Sequence, residues 1–371
     1  MSRRKLISVL CSLALVLSAA AAFAGEWLDK EGGKVDREVG AVYVMTNAPD
    51  ANEIVVFDRD EEGGLTRAGS VATGGAGSGG GVDALVSQGS LVLSKDERWL
   101  LAVNAGSNEI SVFRVRPHNL VLTGKVSSGG EFPVSLTIHH DLVYVLNAGG
   151  TPNITGFTLS RRGELTALDR STRSLGPGGY SQCGFDPDGD ALVVTGRSNN
   201  EILVYAVGRK GLAAWDPVRS PSSGIAPFGF IFDERGHLLV VEAGTNAVSS
   251  YSLLRNGELQ VISASVPNGQ VAACWIAGNG RGYVFTTNPG TSSISSYVLK
   301  RGRGRLMLLN GVAGSGSAPL DLSIAEGRFL YAIDPGNGSV DMFRIERDGS
   351  LSVLGAAAEG FSAYAQGIAA R

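Results

Sequence analysis

Short apolar runs alternate with polar turns along most of the chain, and one arrangement of them recurs seven times. In each copy an apolar strand ends in a polar residue, a tight turn follows, and a second strand ends in an aromatic residue. Leu100–Phe113 (LLAVNAGSNEISVF) and Leu330–Phe343 (LYAIDPGNGSVDMF) show the pattern clearly. The closing aromatic residues are Phe57, Phe113, Phe157, Tyr205, Tyr251, Tyr297 and Phe343. They lie 44 to 56 residues apart, which is about the length that four short strands and four turns require.

Each copy also has an apolar strand before this pair and a leucine-led strand after it. LVLSKDERW precedes one copy, and GELQVISASV follows another. Four strands in a fixed order, which we name a, b, c and d, with Asp/Gly turns closing the hairpins, predict an all-β fold. We predict a seven-bladed β-propeller with four antiparallel strands per blade. A β-solenoid also repeats, but its coils are usually shorter.

The two ends of the chain complement each other. The first copy starts at strand b, Ala41–Thr46, and has no strand a before it. The last segment, Ala363–Ala369, resembles an inner strand with no further strands after it. We therefore predict that it completes the first blade and closes the ring, so that the propeller spans residues 41–371. A closed ring leaves only short protected edges, and we expect a monomer.

The first residues have the pattern of a secretory signal peptide. Arg3 and Arg4 open a basic stretch, an apolar run follows over 6–17, and Ala22-Phe23-Ala24 is a small-residue cleavage site. We predict a signal peptide over 1–24, a lead-in over 25–40, and export to the periplasm or the cell exterior. A lipid anchor at Cys11 is the alternative, but this cysteine lies inside the apolar run. The rest of the chain predicts no membrane span.

Composition and charge exclude some classes of function. The formal net charge is −3, and no stripe of Lys and Arg with interleaved aromatic residues occurs. Nucleic-acid binding is therefore disfavoured. The four histidines are not spaced as metal ligands, and neither HExxH nor G-x-S-x-G is present, so we predict no metal and no cofactor.

Cys183 and Cys274 align to the same inner-strand position of blades that lie two apart. This separation is beyond the usual reach of a disulfide. We expect two buried free thiols, although an exported protein is able to keep a disulfide.

The strongest candidate site is the face of the propeller where b–c turns and d–a connections meet. The b–c turns open with Asn47, Asn104, Asn147, Arg197, Glu242, Asn288 and Asp334. Asparagine and aspartate are also common in turns because they tolerate left-handed backbone geometry. Arg197 and Glu242 break this turn pattern on neighbouring blades, so they either form a salt bridge at the rim or bind a charged small molecule.

Inner-strand residues near the same face add further candidates. Gln182 and Asp321 either point into the channel mouth or satisfy buried backbone groups. The predicted substrate-binding set is Gln182, Asp321, Asn104, Asn147, Asn288 and Asp334. The glycine-rich stretch 74–81 is interpreted as a loop over one mouth, and an anion-binding cradle is the alternative.

The repeat units resemble those of the seven-bladed lactonase propellers. Ser94–Phe113 (SKDERWLLAVNAGSNEISVF) carries the resemblance best, and Asp186–Gly189 (DPDG) and Ala226–Gly229 (APFG) add to it. The family includes bacterial 6-phosphogluconolactonase and fungal 3-carboxymuconate cyclase. The likeness extends over nearly all of the chain after the signal peptide.

The resemblance implies hydrolysis or formation of a small polar lactone at the channel mouth. Arg197 would then hold a carboxylate or phosphate and stabilise developing charge, and Glu242 would act as the catalytic base. Family enzymes often carry a histidine after a proline at the start of an inner strand. The matching pairs here are Pro133-Val134, Pro227-Phe228 and Pro319-Leu320, and none of them supplies a histidine. A non-catalytic propeller that binds a protein, a glycan or a small molecule is therefore the alternative.

Overall fold

Strands b and c are apolar on both faces because each lies between two neighbouring blades. In a computed structural model, which describes residues 40–300 and 302–371, every residue of the first strand b, GAVYVM, is buried. The outer strands instead alternate between exposed and partly buried residues, as in LTRAGSVA. The predicted signal peptide and the lead-in residues 25–39 lie outside the described residues.

The described chain forms seven antiparallel sheets arranged as seven blades, which confirms the predicted fold. Blade 1 contains β1 (Gly40–Met45), β2 (Glu53–Arg59), β3 (Leu65–Ala72) and β29 (Ile368–Ala370). Blade 2 contains β4 (Leu91–Leu93), β5 (Trp99–Asn104), β6 (Glu109–Arg116) and β7 (Asn119–Ser127). Blade 3 contains β8 (Glu131–His139), β9 (Leu142–Gly149), β10 (Asn153–Leu159), β11 (Leu165–Ala167) and β12 (Arg173–Ser174).

The remaining four blades follow in chain order. Blade 4 contains β13 (Tyr180–Phe185), β14 (Ala191–Gly196), β15 (Glu201–Ala206) and β16 (Val218–Pro221). Blade 5 contains β17 (Pro227–Phe232), β18 (His237–Glu242), β19 (Ala247–Leu253) and β20 (Leu259–Pro267). Blade 6 contains β21 (Ile276–Gly278), β22 (Tyr283–Asn288), β23 (Ser293–Lys300) and β24 (Arg305–Ser315), with a 3-10 turn at Pro289–Thr291. Blade 7 contains β25 (Leu322–Ala325), β26 (Phe329–Asp334), β27 (Ser339–Ile345) and β28 (Leu351–Ala358).

The C-terminal strand closes the ring as predicted. β29 pairs with β1 in antiparallel register, with Val42 opposite Ala370 and Val44 opposite Ile368. The closing aromatic residue of blade 1, Phe57, is fully buried and packs in one apolar cluster with Phe329 of blade 7. The two ends of the chain therefore share one hydrophobic core, and apolar burial between blades holds the ring closed.

Two outer strands differ from the prediction. In blade 3 the predicted strand is interrupted, because β11 ends at Ala167, β12 begins at Arg173, and both pair with β10. In blade 4 the segment after the closing aromatic makes a single bridge, Val207 to Ala213, and β16 begins only at Val218. The buried Arg173 guanidinium donates to the Ala213 carbonyl (3.0 Å), so a side chain joins these two outer segments.

The connection from blade 1 to blade 2 crosses the central channel. After the glycine-rich stretch, the segment Asp83–Gln88, which we call the crossing segment, reaches blades on opposite sides of the ring. Trp275 Nε1 donates to the Ser87 carbonyl (2.8 Å), and Gln88 Nε2 donates to the Ile276 carbonyl (2.8 Å). The Ser87 hydroxyl donates to the Val134 carbonyl (2.8 Å). The crossing segment therefore lies across the channel just below its b–c mouth.

In the part of the chain that the structure describes, no helix is long and apolar enough to cross a membrane.

Candidate functional site

The asparagines at the ends of strands b are buried and hold the blades together. Asn104 donates to Ser111 Oγ (2.8 Å) and accepts from Thr73 Oγ1 (2.6 Å). Because Thr73 begins the connection from blade 1 to blade 2, the second bond joins that connection to the b–c turn of blade 2. Asn147 donates to the Ser128 carbonyl (3.2 Å) in the same way. In these positions the side chains fasten turns to d–a connections, and their role in substrate binding stays a prediction.

The amide of Asn288 is held by blade 6 and by the connection that leads to it from blade 5. Its oxygen accepts from Asn268 Nδ2 (2.7 Å), and its nitrogen donates to Ser295 Oγ (2.9 Å). The carboxylate of Asp334 is held similarly in blade 7. It accepts from the backbone N–H groups of Ser317, of Ala318 (2.9 Å) and of Gly336 (3.0 Å).

Glu242 is fully buried beneath the connection between blades 4 and 5. Its Oε1 accepts hydrogen bonds from Ser249 Oγ (2.6 Å), the Gly224 N–H (2.8 Å) and Ser222 Oγ (3.0 Å). Buried carboxylates with several donors are usually fixed in one geometry. Among residues 40–300 and 302–371, no hydrogen bond or ion pair joins Glu242 to Arg197.

Arg197 is the one predicted rim residue whose side chain is only partly buried, and it lies at the channel mouth. Its guanidinium carbon lies 5.9 Å from the centre of the buried Phe228 ring, which is within cation–π range. Its Nε is buried and has no hydrogen-bond partner among the described residues. Burial lowers the pKa of Arg197, and the nearby charge of Asp83 opposes that shift. The guanidinium therefore carries a positive charge that no contacting carboxylate neutralises in the described chain.

Asp83, in the crossing segment, is the acidic residue whose charge acts most strongly on Arg197. Its backbone φ is +54°, a left-handed conformation that is uncommon outside glycine. Its Oδ1 accepts from Gln366 Nε2 (3.0 Å). Burial raises the pKa of Asp83 to about 7, although the Gln366 amide and the charge of Arg197 both act to lower it. A carboxyl group that titrates near neutral pH is suited to accept and return a proton.

Gln182 and Asp321 line a cavity on the other side of the crossing segment. This cavity has a volume of about 570 Å³ and extends along the inner strands towards the a–b turns. The Gln182 amide is occupied by blade 5, since it donates to the Phe230 carbonyl (3.0 Å) and accepts from the Phe230 N–H (2.6 Å). Asp321 is buried, and burial followed by the charge of Asp83 raises its pKa to about 8. Both side chains also bond to backbone groups, which was the alternative interpretation, and their binding role stays a prediction.

The two cysteines are free and buried, as expected. Cys274 lies near Asp83 and Arg197, but burial raises the pKa of its thiol to about 12, so it is not an activated nucleophile. His237 contacts Asp233 (2.7 Å) and His118 contacts Asp58 (2.7 Å), both away from the channel. Among the described residues, no group of three or more possible metal ligands comes together.

The repeat pattern does not predict the contribution of Asp83 to this site, because Asp83 occupies no repeated position. One feature of the sequence does indicate it: the spacing of 56 residues between Phe57 and Phe113 is the longest in the chain. The additional residues form the glycine-rich stretch and the crossing segment.

Comparison with known proteins agrees with the predicted resemblance. The family model described as "Lactonase, 7-bladed beta-propeller" matches residues 38–178. A comparison with curated proteins finds no significant match. The resemblance to the lactonase propellers is confirmed by the family model together with the seven-bladed fold.

Solved structures of similar fold come from several bacteria. A proposed 6-phosphogluconolactonase from Bacteroides fragilis NCTC 9343 is 17% identical, covers 91% of this chain and 99% of its own, and has a TM-score of 0.71. The periplasmic gluconolactonase of Pseudomonas aeruginosa is 16% identical, covers 88% of this chain and 98% of its own, and has a TM-score of 0.70. A Lactobacillus plantarum protein is 16% identical, covers 90% and 99% of the two chains, and has a TM-score of 0.72. Identities this low establish a shared fold, and the chemistry has to be argued from the site itself.

Proposed function

On the premise that this propeller resembles the lactonase propellers, we propose that the chain is an exported lactonase. It opens a small polar lactone at the b–c mouth of the channel, between Arg197 and Asp83. The observation that carries the proposal is the buried Arg197 Nε, which has no hydrogen-bond partner among the described residues. The crossing segment brings the Asp83 carboxyl close enough for the two charges to influence each other's pKa.

The two groups fit the requirements of lactone hydrolysis. The oxygen of a water molecule bonds to the lactone carbonyl carbon, and Asp83 as carboxylate accepts one of its protons. Arg197 stabilises the negative charge that develops on the carbonyl oxygen. The ring C–O bond then breaks, the leaving oxygen takes a proton back from Asp83, and a hydroxy acid is released. One water is consumed, and both side chains return to their initial states.

In this proposal Asp83 is the base, and Glu242 has a structural role. The Glu242 carboxylate is engaged by Ser222, Gly224 and Ser249. A base needs an oxygen that is accessible to the reacting water. The partly exposed Asp83 meets that requirement better than the fully buried Glu242.

Export is part of the proposal because residues 1–24 carry the signal pattern. The described chain has no membrane-crossing helix, and a propeller of the same fold from Pseudomonas aeruginosa is described as periplasmic. N-terminal sequencing of the chain recovered outside the cytoplasm tests this part, and a mature chain that begins at Gly25 is the expected result.

The activity is tested with a panel of lactones, including glucono-δ-lactone and a γ-lactone that carries a carboxylate. Ring opening is followed by acid release at constant pH and corrected for the spontaneous reaction. We expect acceleration of at least one of these lactones. The Arg197→Ala variant should lower kcat/KM about 100-fold, because it removes the charge that stabilises the oxyanion.

The matched control is Arg219→Ala. Arg219 lies in the same blade and pairs with Glu201 (2.8 Å) on the surface, so its loss removes the same charge away from the channel. Equal activities of Arg197→Ala and the wild type would place the reaction elsewhere. Failure to open any lactone of the panel would favour the binding-propeller alternative.

A further inference from the structure

Gln366 connects the last strand of the ring to the crossing segment. Its side chain is fully buried. Nε2 donates to Asp83 Oδ1 (3.0 Å) and to the Ser87 carbonyl (2.8 Å), while Oε1 accepts from the Leu85 N–H (3.1 Å). Both amide protons and the amide oxygen are therefore used by a single segment of the chain. A primary amide has no further donor, so this arrangement fixes its orientation.

The backbone of Gln366 is itself held by ring closure. The Gln366 N–H donates to the Met45 carbonyl (3.2 Å), and the Gly367 carbonyl accepts from the Met45 N–H (2.9 Å). Shortly after it, β29 begins its pairing with β1. Gln366 therefore extends from a rigid element, which is the arrangement that positions a neighbouring group with accuracy.

The crossing segment needs such an anchor. It follows a stretch rich in glycine, and Asp83 and Val86 both have left-handed backbones, with φ of +54° and +49°. Left-handed conformations of non-glycine residues persist only where the surroundings enforce them. A segment like this populates many conformations unless side chains from rigid elements hold it.

We propose that Gln366 is a positioning residue for Asp83, whose carboxyl it fixes in place at the crossing segment and keeps available as a carboxylate. The inference rests on the proposed function, since it concerns the base of that reaction. The ring-closing segment thereby has a second role, because the segment that completes blade 1 also sets the geometry and the acidity of the site.

The direction of the effect follows from hydrogen bonding. A donor to a carboxylate favours its charged form, so the Gln366 amide lowers the pKa of Asp83 against the larger opposing effect of burial. Removing this donor should raise the pKa of Asp83. The pH range over which kcat/KM rises then moves to higher pH. If the pKa of Asp83 rises by one unit, kcat/KM at pH 6 falls about tenfold.

The test uses Gln366→Met and Gln366→Glu in the full chain. Gln366→Met keeps the volume and removes all three hydrogen bonds. Gln366→Glu keeps an acceptor for the Leu85 N–H and replaces the donor to Asp83 by a second carboxyl group, so it covers the case in which the methionine variant does not fold. The side-chain carboxyl carbon of Asp83 is titrated by carbon-13 NMR, with Asp83→Asn for its assignment, and the pH profile of kcat/KM is measured in parallel.

The expected result is a higher titration midpoint of Asp83 in both variants. The control is Gln88→Ala, since Gln88 also anchors the crossing segment but bonds to the backbone of Ile276 instead of Asp83. An unchanged midpoint in both Gln366 variants, or an equal shift in Gln88→Ala, would overturn the positioning role. A shifted midpoint in a protein that opens no lactone would leave Gln366 as the anchor of Asp83 and remove the proposed function alone.

Discussion

In three blades, the residue seven positions after the end of strand b holds the buried rim side chain by a hydrogen bond. In blades 2, 5 and 6 that residue is Ser111, Ser249 or Ser295, whose hydroxyl accepts from an asparagine amide or donates to Glu242. A hydroxyl is able to do either, so it suits both amide and carboxylate partners. A serine seven positions after the end of strand b is therefore compatible with either an asparagine or a glutamate at that end.

In blade 7 the same position holds Asp341, and its neighbour is the carboxylate of Asp334. Asp341 is buried, and its Oδ2 has no hydrogen-bond partner among the described residues. Ser339 Oγ donates to its Oδ1 (3.3 Å). Burial and then the charge of Asp334 raise the pKa of Asp341 to about 7. With its pKa raised, Asp341 is able to carry a proton at lower pH and to donate to a carboxylate, as Ser249 donates to Glu242 in blade 5.

This carboxyl pair predicts a pH-dependent stability. A carboxyl group whose pKa is raised on folding stabilises the folded chain fully below its unfolded pKa of 3.8, and this contribution is lost as the pH rises to about 7. Asp341→Ser should remove that dependence. We expect its melting temperature, relative to wild type, to rise by about 2 °C or more between pH 4 and pH 8.

Circular dichroism melts at both pH values measure the difference. Asp348→Ser is the control, because Asp348 is exposed in a turn of the same blade and has no buried carboxylate beside it. A relative melting temperature of Asp341→Ser that does not change with pH would show that the two carboxyl groups are not linked by a proton.

At the scale of elements, three b–c turns are tied to the next blade by one repeated contact. Asn108 Oδ1 accepts from the Phe132 N–H (2.7 Å), and both residues have a left-handed backbone, with φ of +59° and +53°. Asn200 with Ala226 and Asn246 with Ala272 repeat this geometry at 2.7 Å. Asparagine suits the position because it tolerates a positive φ and offers a side-chain acceptor.

Asn108→Ala should therefore destabilise the fold by about 2 kcal/mol, through the lost hydrogen bond and the left-handed alanine. Asn108→Gly removes the same hydrogen bond without the backbone penalty, so its loss should be smaller. Urea unfolding of the two variants measures both values. Equal losses would mean that the left-handed backbone of this turn costs nothing.

Strands b and c could be predicted because their environment repeats. Each lies between two blades, so each is a short apolar run; strand b ends in a polar residue and strand c in a buried aromatic residue. The outer strands of blades 3 and 4 were harder to predict, because there Arg173 joins the segments through its side chain and no continuous ladder forms. The burial of Glu242 could not be predicted either, because its partners Ser222 and Gly224 come from a connection with no repeated sequence.

At the scale of the whole molecule, ring closure brings distant parts of the chain into one channel. Asp83 comes from the connection after blade 1, Arg197 from the b–c turn of blade 4, and Gln366 from the final segment. Local patterns predicted the ring and Arg197, but the crossing segment depends on partners such as Trp275, 188 positions away from Ser87. A contact between residues so far apart in the chain leaves no local pattern in the sequence. The proposed chemistry therefore lies where ring closure and the crossing segment meet.

The pH dependence of lactone opening by the wild type and by Asp83→Asn tests the proposed chemistry most directly. For the wild type, kcat/KM should rise with pH and level off above about 7, as Asp83 loses its proton. In Asp83→Asn we expect a loss of about 100-fold and no limb near pH 7. A variant that keeps the wild-type rate and the same limb would contradict the assignment of Asp83 as the base.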